Sequence, residues 1–441
     1  MIKTLRNALK VKEIRKGLLY TFLMIIVVRI GCQLSVPNTD PDVIKEVTGQ
    51  FASGAFGFFD AMTGGSFSEM SIFALNITPY ITASIIIQLL TIAIPKLEEM
   101  QKDGEDGRKK IQKITRYITV ALAFIEAPAM SIGFGNQGIF GNTSEMTTSR
   151  YWFVIILAVI TMIAGATLIM WIGEQITEKG VGNGISIVLL VNIIARIPTD
   201  IANLFTKFVT GSDSIGGKVL AAVVIIAVIL FVVAFVVILQ DAQRRIPVQY
   251  SKKVQGRKMV GGSSSHIPLR VNTAGVIPVI FAQSLLQFPV VIGSFFGQNN
   301  AEWTRYLSSQ HWCDPDNWIY SIGLVAYILL VLFFAYFYTS ITFNPVEVAN
   351  NMKKQGGFVP GIRPGKPTST YLQTILNYII FIGAVGLIIV AVFPILMSGI
   401  FDASVSFGGT SLIIIVGVVL ETLKSLEAKM VVRNYKGFLT D

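Results

Sequence analysis

Ten apolar runs, each long enough to cross a bilayer, constrain this chain more than anything else in it. They lie near 18–36, 76–95, 115–135, 151–172, 184–206, 218–240, 273–295, 317–340, 373–396 and 410–427. A crossing helix needs about 20 such residues, and a soluble core has no room for ten of them. Lipid offers the backbone no hydrogen-bond partner, so each span is either a helix or a strand of a closed barrel. These runs do not alternate apolar and polar residues, which excludes the barrel. Composition agrees: 52% of the 441 residues are hydrophobic and only 14% are charged, against roughly 25% charged in soluble domains. The chain is read as an all-α polytopic membrane protein.

Charge sets the expected orientation. With both termini inside, twenty-nine of the 36 Lys and Arg residues fall in cytoplasmic segments. The outer loops keep only Lys45, Arg150, Lys207, Lys218 and Arg305, while Arg29 and Arg196 lie within spans. Basic residues near span ends resist translocation, so much of the +10 net charge follows from topology and is no sign of nucleic-acid binding. The N-terminus, MIKTLRNALKVKEIRKG, has the basic outline of a signal peptide. No small-residue cleavage site follows it, however, and Arg29, near the middle of the first span, interrupts the apolar run. Residues 1–17 are therefore expected to form a cytoplasmic amphipathic segment ahead of a retained first span.

Several classes of chemistry are disfavoured. His266 and His311 are the only histidines, too few for a histidine-based metal or catalytic centre. Cys32 and Cys313 have no metal-ligand spacing and are read as structural or free thiols. Glu126 is the main carboxylate within a span and has no histidine companion. No G-x-x-x-x-G-K-[ST] loop is present. The chain is expected to be no enzyme and to carry no cofactor.

Irregular features point to transport. A short stretch at about 55–70 contains Phe56, Phe58, Phe59 and Met62, broken by Gly64-Gly65. It is too short to cross, so it is either an interfacial helix or a re-entrant segment shielded by protein. In the second span Ile77, Ile81 and Ile85 share one face, a pattern that helix packing alone would also produce. Pro79 is expected to kink that span, and Thr78, Thr82, Ser84 and Gln88 are polar enough to face protein or water. The seventh span, NTAGVIPVIFAQSLLQFP, repeats the pattern with Gly275, Pro278, Gln283, Ser284 and Gln287. Broken, polar-sprinkled helices of this kind are typical of transport proteins.

Two cytoplasmic connections, 241–271 and 341–372, are oversized. In the first, IPVQYSKK can turn back toward HIPLRV as a hairpin with a basic tip. Its size favours docking of an acidic partner over simple contact with anionic lipid. In the second, NPVEVANNMKK reads as a helix after Pro345 and is followed by GGFVPGIRPGKPT. There prolines fix φ and remove donors, glycines permit turns, and Arg363 presents a five-donor fork suited to carboxylates, phosphates or carbonyls.

Taken together, GGSFSEMSIFALNITPYITASIIIQLL, EKGVGNGISI, RRIPVQY with GRK, SSHIPLRVNTAGVIPVIFA, NPVEVANNMKKQGGFVPGIRPG and FGGTSLIIIVGVVLE resemble the SecY family over essentially the whole chain. That family supplies the pore subunits of the bacterial protein-conducting channel. The resemblance implies two pseudo-symmetric inverted five-helix halves, 18–206 and 207–427, with a cytoplasmic tail at 428–441. It implies a pore ring at Ile77, Ile81, Leu189, Ile280 and Ile414, and a short re-entrant plug helix over 55–70 that includes Phe58, Phe59, Met62, Gly64 and Gly65. A lateral gate between spans two and three and spans seven and eight would carry Thr82, Ile85, Gln88, Gln283, Ser284 and Gln287. Docking of the SecA ATPase or the ribosome would use Arg244, Arg245, Lys252, Lys253, Arg257, Lys258, Arg363 and Lys366.

Implied partners are SecE and SecG, SecA, the ribosome, SecDF and YidC, signal sequences and nascent polypeptides, and anionic lipids. Ribosomal RNA is the one nucleic acid in reach. The implied location is the bacterial plasma membrane, multi-pass, with both termini cytoplasmic. Two departures stand out: Asn76 occupies a position where the family usually has glycine, which bears on the stiffness of the plug hinge, and Leu189 stands where isoleucine is common. The competing reading is a secondary transporter for a small solute, which would pair ionisable groups at the membrane centre.

Overall fold

The computed structural model describes residues 10–40, 43–44, 60, 62–135, 138–140, 147–210, 215–250, 253–255, 258–260, 264–295, 302–309, 312–313, 317–401 and 409–437. Each of the ten expected spans coincides with a helix. These are α1 (Lys12–Cys32), α2 (Thr78–Ala93), α4 (Gly104–Gly135), α5 (Thr148–Lys179), α6 (Gly184–Leu204) and α7 (Ile215–Asp241), followed by α8 (Ile277–Phe295), α10 (Ile322–Thr342), α12 (Lys366–Phe401) and α13 (Gly409–Gly437). Shorter helices are α3 (Pro95–Lys102), α9 (Glu302–Leu307) and α11 (Pro345–Lys354). Among the described residues, six helices are long and apolar enough to cross a membrane by length and composition. The pair α2–α3, bent by 104°, meets the same test when its two helices are taken together. The bend falls at Ile94-Pro95, where the chain turns extended and proline opens the next helix.

Three local expectations change. Pro79 does not kink the second span, because α2 begins at Thr78 and places the proline in its first turn. The missing donor costs nothing there. Arg29 is not near the middle of its span but in the last turn of α1, since that helix starts at Lys12 and stops at Cys32. The segment 341–372 holds more helix than the one expected after Pro345. Asn344 caps α11 by accepting from Val346 and Glu347 N–H at 3.1 and 3.3 Å, and α12 begins at Lys366 with Pro367 in its first turn. With 36 residues, α12 runs about 54 Å at 1.5 Å per residue, well beyond the bilayer core.

The helices pack as two groups. In the first, α1 packs on α5 and α6, α2 on α4, α4 on α5, and α5 on α6. In the second, α8 packs on α10, α10 on α12, and α7 and α12 on α13. The groups meet where α6 packs on α13 and where α4 packs on α8. A π-helical turn, Phe205–Thr210, follows α6 and packs against α7, the first helix of the second group.

The two oversized connections, 241–271 and 341–372, become one platform. Strand β1 (Gln243–Tyr250) pairs antiparallel with β4 (Ser264–Arg270), with Ile246 opposite Ile267 and Pro247 opposite His266. Between them lies a small hairpin of β2 (Lys253–Gln255) and β3 (Lys258–Val260). The other edge of β1 receives β5 (Gly357–Phe358) from the second connection, giving the order β4-β1-β5. Alternation along β1 buries Ile246 and Val248 and leaves Arg244 and Arg245 exposed. The buried side packs with Leu269, Ala349, Met352, Val359, Leu372 and Ile379. Gly357 lies so close to Tyr250 that a Cβ there would be 2.8 Å from the ring.

Candidate functional site

The site lies where the two groups of helices meet. Ile77 caps α2, Ile81 lies one turn on, and Leu189, Ile280 and Ile414 come from α6, α8 and α13. All five belong to one apolar cluster. Ile77, Leu189, Ile280 and Ile414 are at most 8% exposed, and Ile81 is partly buried against them. No single helix could present this set. The sequence separates its members by more than three hundred residues, and packing brings them together. Branched and γ-branched hydrocarbons fill such a centre without any polar atom, which leaves it dry.

Met62 packs in the same cluster at 6% exposure. Met62, Gly64 and Gly65 belong to a segment whose residues Asp60, Thr63, Ser66, Ser68 and Met70 are also buried. Phe58 and Phe59 lie outside the described residues. The segment folds tightly: Gly65 N–H donates to the Asp60 carbonyl at 3.0 Å, and Ser68 N–H donates to Asp60 Oδ1 at 3.0 Å. Its exit is tied to the end of α1 by Val36 N–H to the Met70 carbonyl and Ile72 N–H to the Leu34 carbonyl, at 2.9 and 2.8 Å. Burial of these groups matches a protein-shielded re-entrant segment better than an interfacial helix.

Polar side chains from the surrounding helices hold this segment. Arg196 of α6 places Nη2 2.5 Å from Asp60 Oδ2, with the Asp60 side chain 1% exposed. Arg29 of α1 reaches the Gly64 carbonyl with Nη1 at a long 3.5 Å. Asn76, just before α2, donates its amide to the Thr63 carbonyl at 3.2 Å and accepts from the Asn192 amide of α6 at 3.1 Å. Gly64 has φ +69, and a Cβ there would be 2.8 Å from the Asn192 carbonyl oxygen. Glycine is thus required by both backbone conformation and close approach.

Asp60, Thr63 and Asn192 were not singled out from sequence, and Arg29 and Arg196 were given no partner. One signal was present: Asp60 is an acid in an otherwise apolar stretch, and Arg29 and Arg196 each interrupt an apolar run. Charge complementarity could have joined them. Both cations serve the short segment itself: Arg196 pairs with its Asp60, and Arg29 reaches its Gly64 carbonyl.

The other predicted residues fall in two further places. Thr82, Ile85 and Gln88 lie on α2, while Gln283, Ser284 and Gln287 lie on α8, the helix that packs against α4. The side chain of Gln287 falls outside the described residues. On the platform, Arg244, Arg245, Arg363 and Lys366 are exposed. Lys253 and Lys258 belong to β2 and β3, and Lys252 and Arg257 lie outside the described residues. The turn carrying Arg363 is anchored by buried Val359. Thr368 also donates its hydroxyl to the Arg363 carbonyl at 2.8 Å. Gly356, Gly361 and Gly365 adopt positive φ around it. Among the described residues no group of acidic, histidine or cysteine side chains could hold a metal ion.

The SecY family model matches residues 71–423. A protein translocase subunit SecY from Halalkalibacterium halodurans is 42% identical over 447 residues, covering 100% of both chains. The corresponding proteins of Streptomyces galbus and Bacillus subtilis are 43% and 42% identical, again over 100% of both chains. Among solved structures, a protein-conducting channel superposes with a TM-score of 0.62 at 18% identity, covering 96% of this chain and 94% of that one. A SecY structure concerned with the plug domain and the closed state gives 0.61 at 19% identity, with the same coverage. At those identities the structural likeness speaks for the fold, two five-helix halves spanning the membrane ten times. Full-length identity above 40% speaks for kinship, and this chain belongs to the SecY family of protein translocase subunits.

Proposed function

We propose that this chain is the central pore subunit of a Sec translocase, passing unfolded secretory proteins across the plasma membrane and releasing transmembrane segments sideways into lipid. The observation that carries this reading is the packing of Ile77, Ile81, Leu189, Ile280 and Ile414 in one apolar cluster together with Met62. An aliphatic ring blocks ions when closed and offers a passing chain no fixed polar site to stop at. A signal helix beside α2 and α8 would leave through the seam where α4 meets α8, driven by the ordinary transfer of apolar surface out of water. Site-specific crosslinking of a stalled secretory chain tests this. Adducts are expected at positions 77, 81, 189, 280 and 414 together, whereas a small-solute transporter would give none.

Both termini are assigned to the cytoplasm by the basic bias, which puts the β4-β1-β5 platform on the same side. Energy must come from outside the chain, from a SecA-type ATPase or a translating ribosome docked on that platform. One structural neighbour is the channel of a canine ribosome-channel complex, with a TM-score of 0.59. SecE and SecG type subunits are assigned to the exposed apolar faces, among them α7, whose Val223, Leu230 and Phe231 are more than half exposed. Replacing Arg363 by alanine should lower motor-driven secretion into inverted vesicles by at least about tenfold, as losing one interfacial charge contact does. The amount of folded channel in the membrane should not change. Normal secretion by that variant would remove Arg363 from the docking site.

A further inference from the structure

We propose that Asn76 is the latch of the closed channel, a positioning residue whose side chain ties the plug to α6 and to the start of the gate helix α2. Asn76 is 2% exposed and adopts φ +47, a left-handed conformation that glycine takes freely and asparagine tolerates better than most residues. What asparagine adds over glycine is a side chain with a donor and an acceptor. Both are used: the amide reaches the Thr63 carbonyl of the plug, and Oδ1 receives the Asn192 amide. Asn76 also immediately precedes Ile77 of the ring, the residue that caps α2. Outward movement of α2 therefore breaks both bonds together and releases the plug as the ring widens. Plug and gate are mechanically one element in this chain, and the link needs Asn76 and Asn192 as a pair.

The inference rests on the pore reading for the meaning of plug release, but its test does not need transport. Cys32 is 1% exposed in the same cluster as Met62. In a Cys313→Ser background it is the only cysteine, so its reaction with a small thiol reagent added from outside reports plug release in the reconstituted complex. Asn76→Gly keeps the backbone conformation and removes both bonds. Asn76→Asp keeps the shape and the acceptor but cannot donate to Thr63. Both variants should label about tenfold faster than the parent, the order expected for loss of one or two buried hydrogen bonds. Asn192→Ala should also accelerate labelling, and adding it to Asn76→Gly should change little, because the chain of bonds is already cut.

Unchanged labelling in both Asn76 variants, or independent effects of Asn76 and Asn192, overturns the latch. So does equal acceleration at Cys313 in the matching Cys32→Ser background, which would mean general loosening. A stalled secretory chain should itself speed Cys32 labelling in the parent. If it does not while the Asn76 effect persists, the pore reading fails and the latch stands; the reverse pattern fails the latch alone.

Discussion

Replacing Arg196 by methionine is expected to open the resting channel to ions. The Asp60 carboxylate is almost fully buried, and its charge partner is the guanidinium 2.5 Å away. Removing one member of a buried pair commonly costs 3–5 kcal/mol, because the remaining charge keeps its desolvation penalty and loses its counter-charge. Arg196 retains some exposure, so the lower end, about 3 kcal/mol, is the appropriate figure. That corresponds to roughly a hundredfold shift from the seated toward the released plug. Planar-bilayer recording should show a much larger closed-state current for Arg196→Met than for the parent. Combining it with Asp60→Asn should restore part of the seal, since no charge is then left alone. A double variant that leaks as much as Arg196→Met would show that charge pairing is not what seats the plug.

A lysine at Ile280 should have a comparable effect by a different route. Ile280 contributes one wall of the dry cluster and is 8% exposed. A charged side chain forced into the membrane interior costs about 2.5–3.5 kcal/mol, and it escapes that cost by drawing water into the constriction. The closed ring then becomes a wet path, and resting conductance should rise by roughly a hundredfold. Ile81→Lys should act in the same direction but less strongly, because Ile81 is already partly exposed. Ile280→Leu preserves volume and dryness and should leave the seal intact. Unaltered leakage across the charged variants would remove these residues from the ring.

The two perturbations separate two barriers. Arg196→Met leaves the ring untouched and displaces the plug, whereas Ile280→Lys leaves Asp60 and Arg196 paired. If the barriers act in series, the double variant should conduct more than either single one. Asn76 lies at the junction, one residue from the ring and hydrogen-bonded to the plug.

Much of the architecture was legible before any fold. The ten spans, the hairpin of β1 and β4, the helix after Pro345 and the turn around Arg363 all arise from local signals: hydropathy, proline and glycine placement, and caps. The limits were equally local. Pro79 and Arg29 were misplaced because helix ends depend on where flanking turns begin, which an apolar run alone does not mark. The family resemblance nominated the five ring residues, and the structure shows them in one cluster.

The sequence by itself determined that this chain lives in a membrane, which segments cross it and where its irregular and basic stretches lie, because each property is carried by neighbouring residues. Only the tertiary structure decided which polar side chains meet. Asn76 and Asn192 are 116 positions apart, and two separate connections share one sheet through β1 and β5. Buried polar groups take whatever partner the packed helices bring within about 3 Å, and no local pattern records that choice.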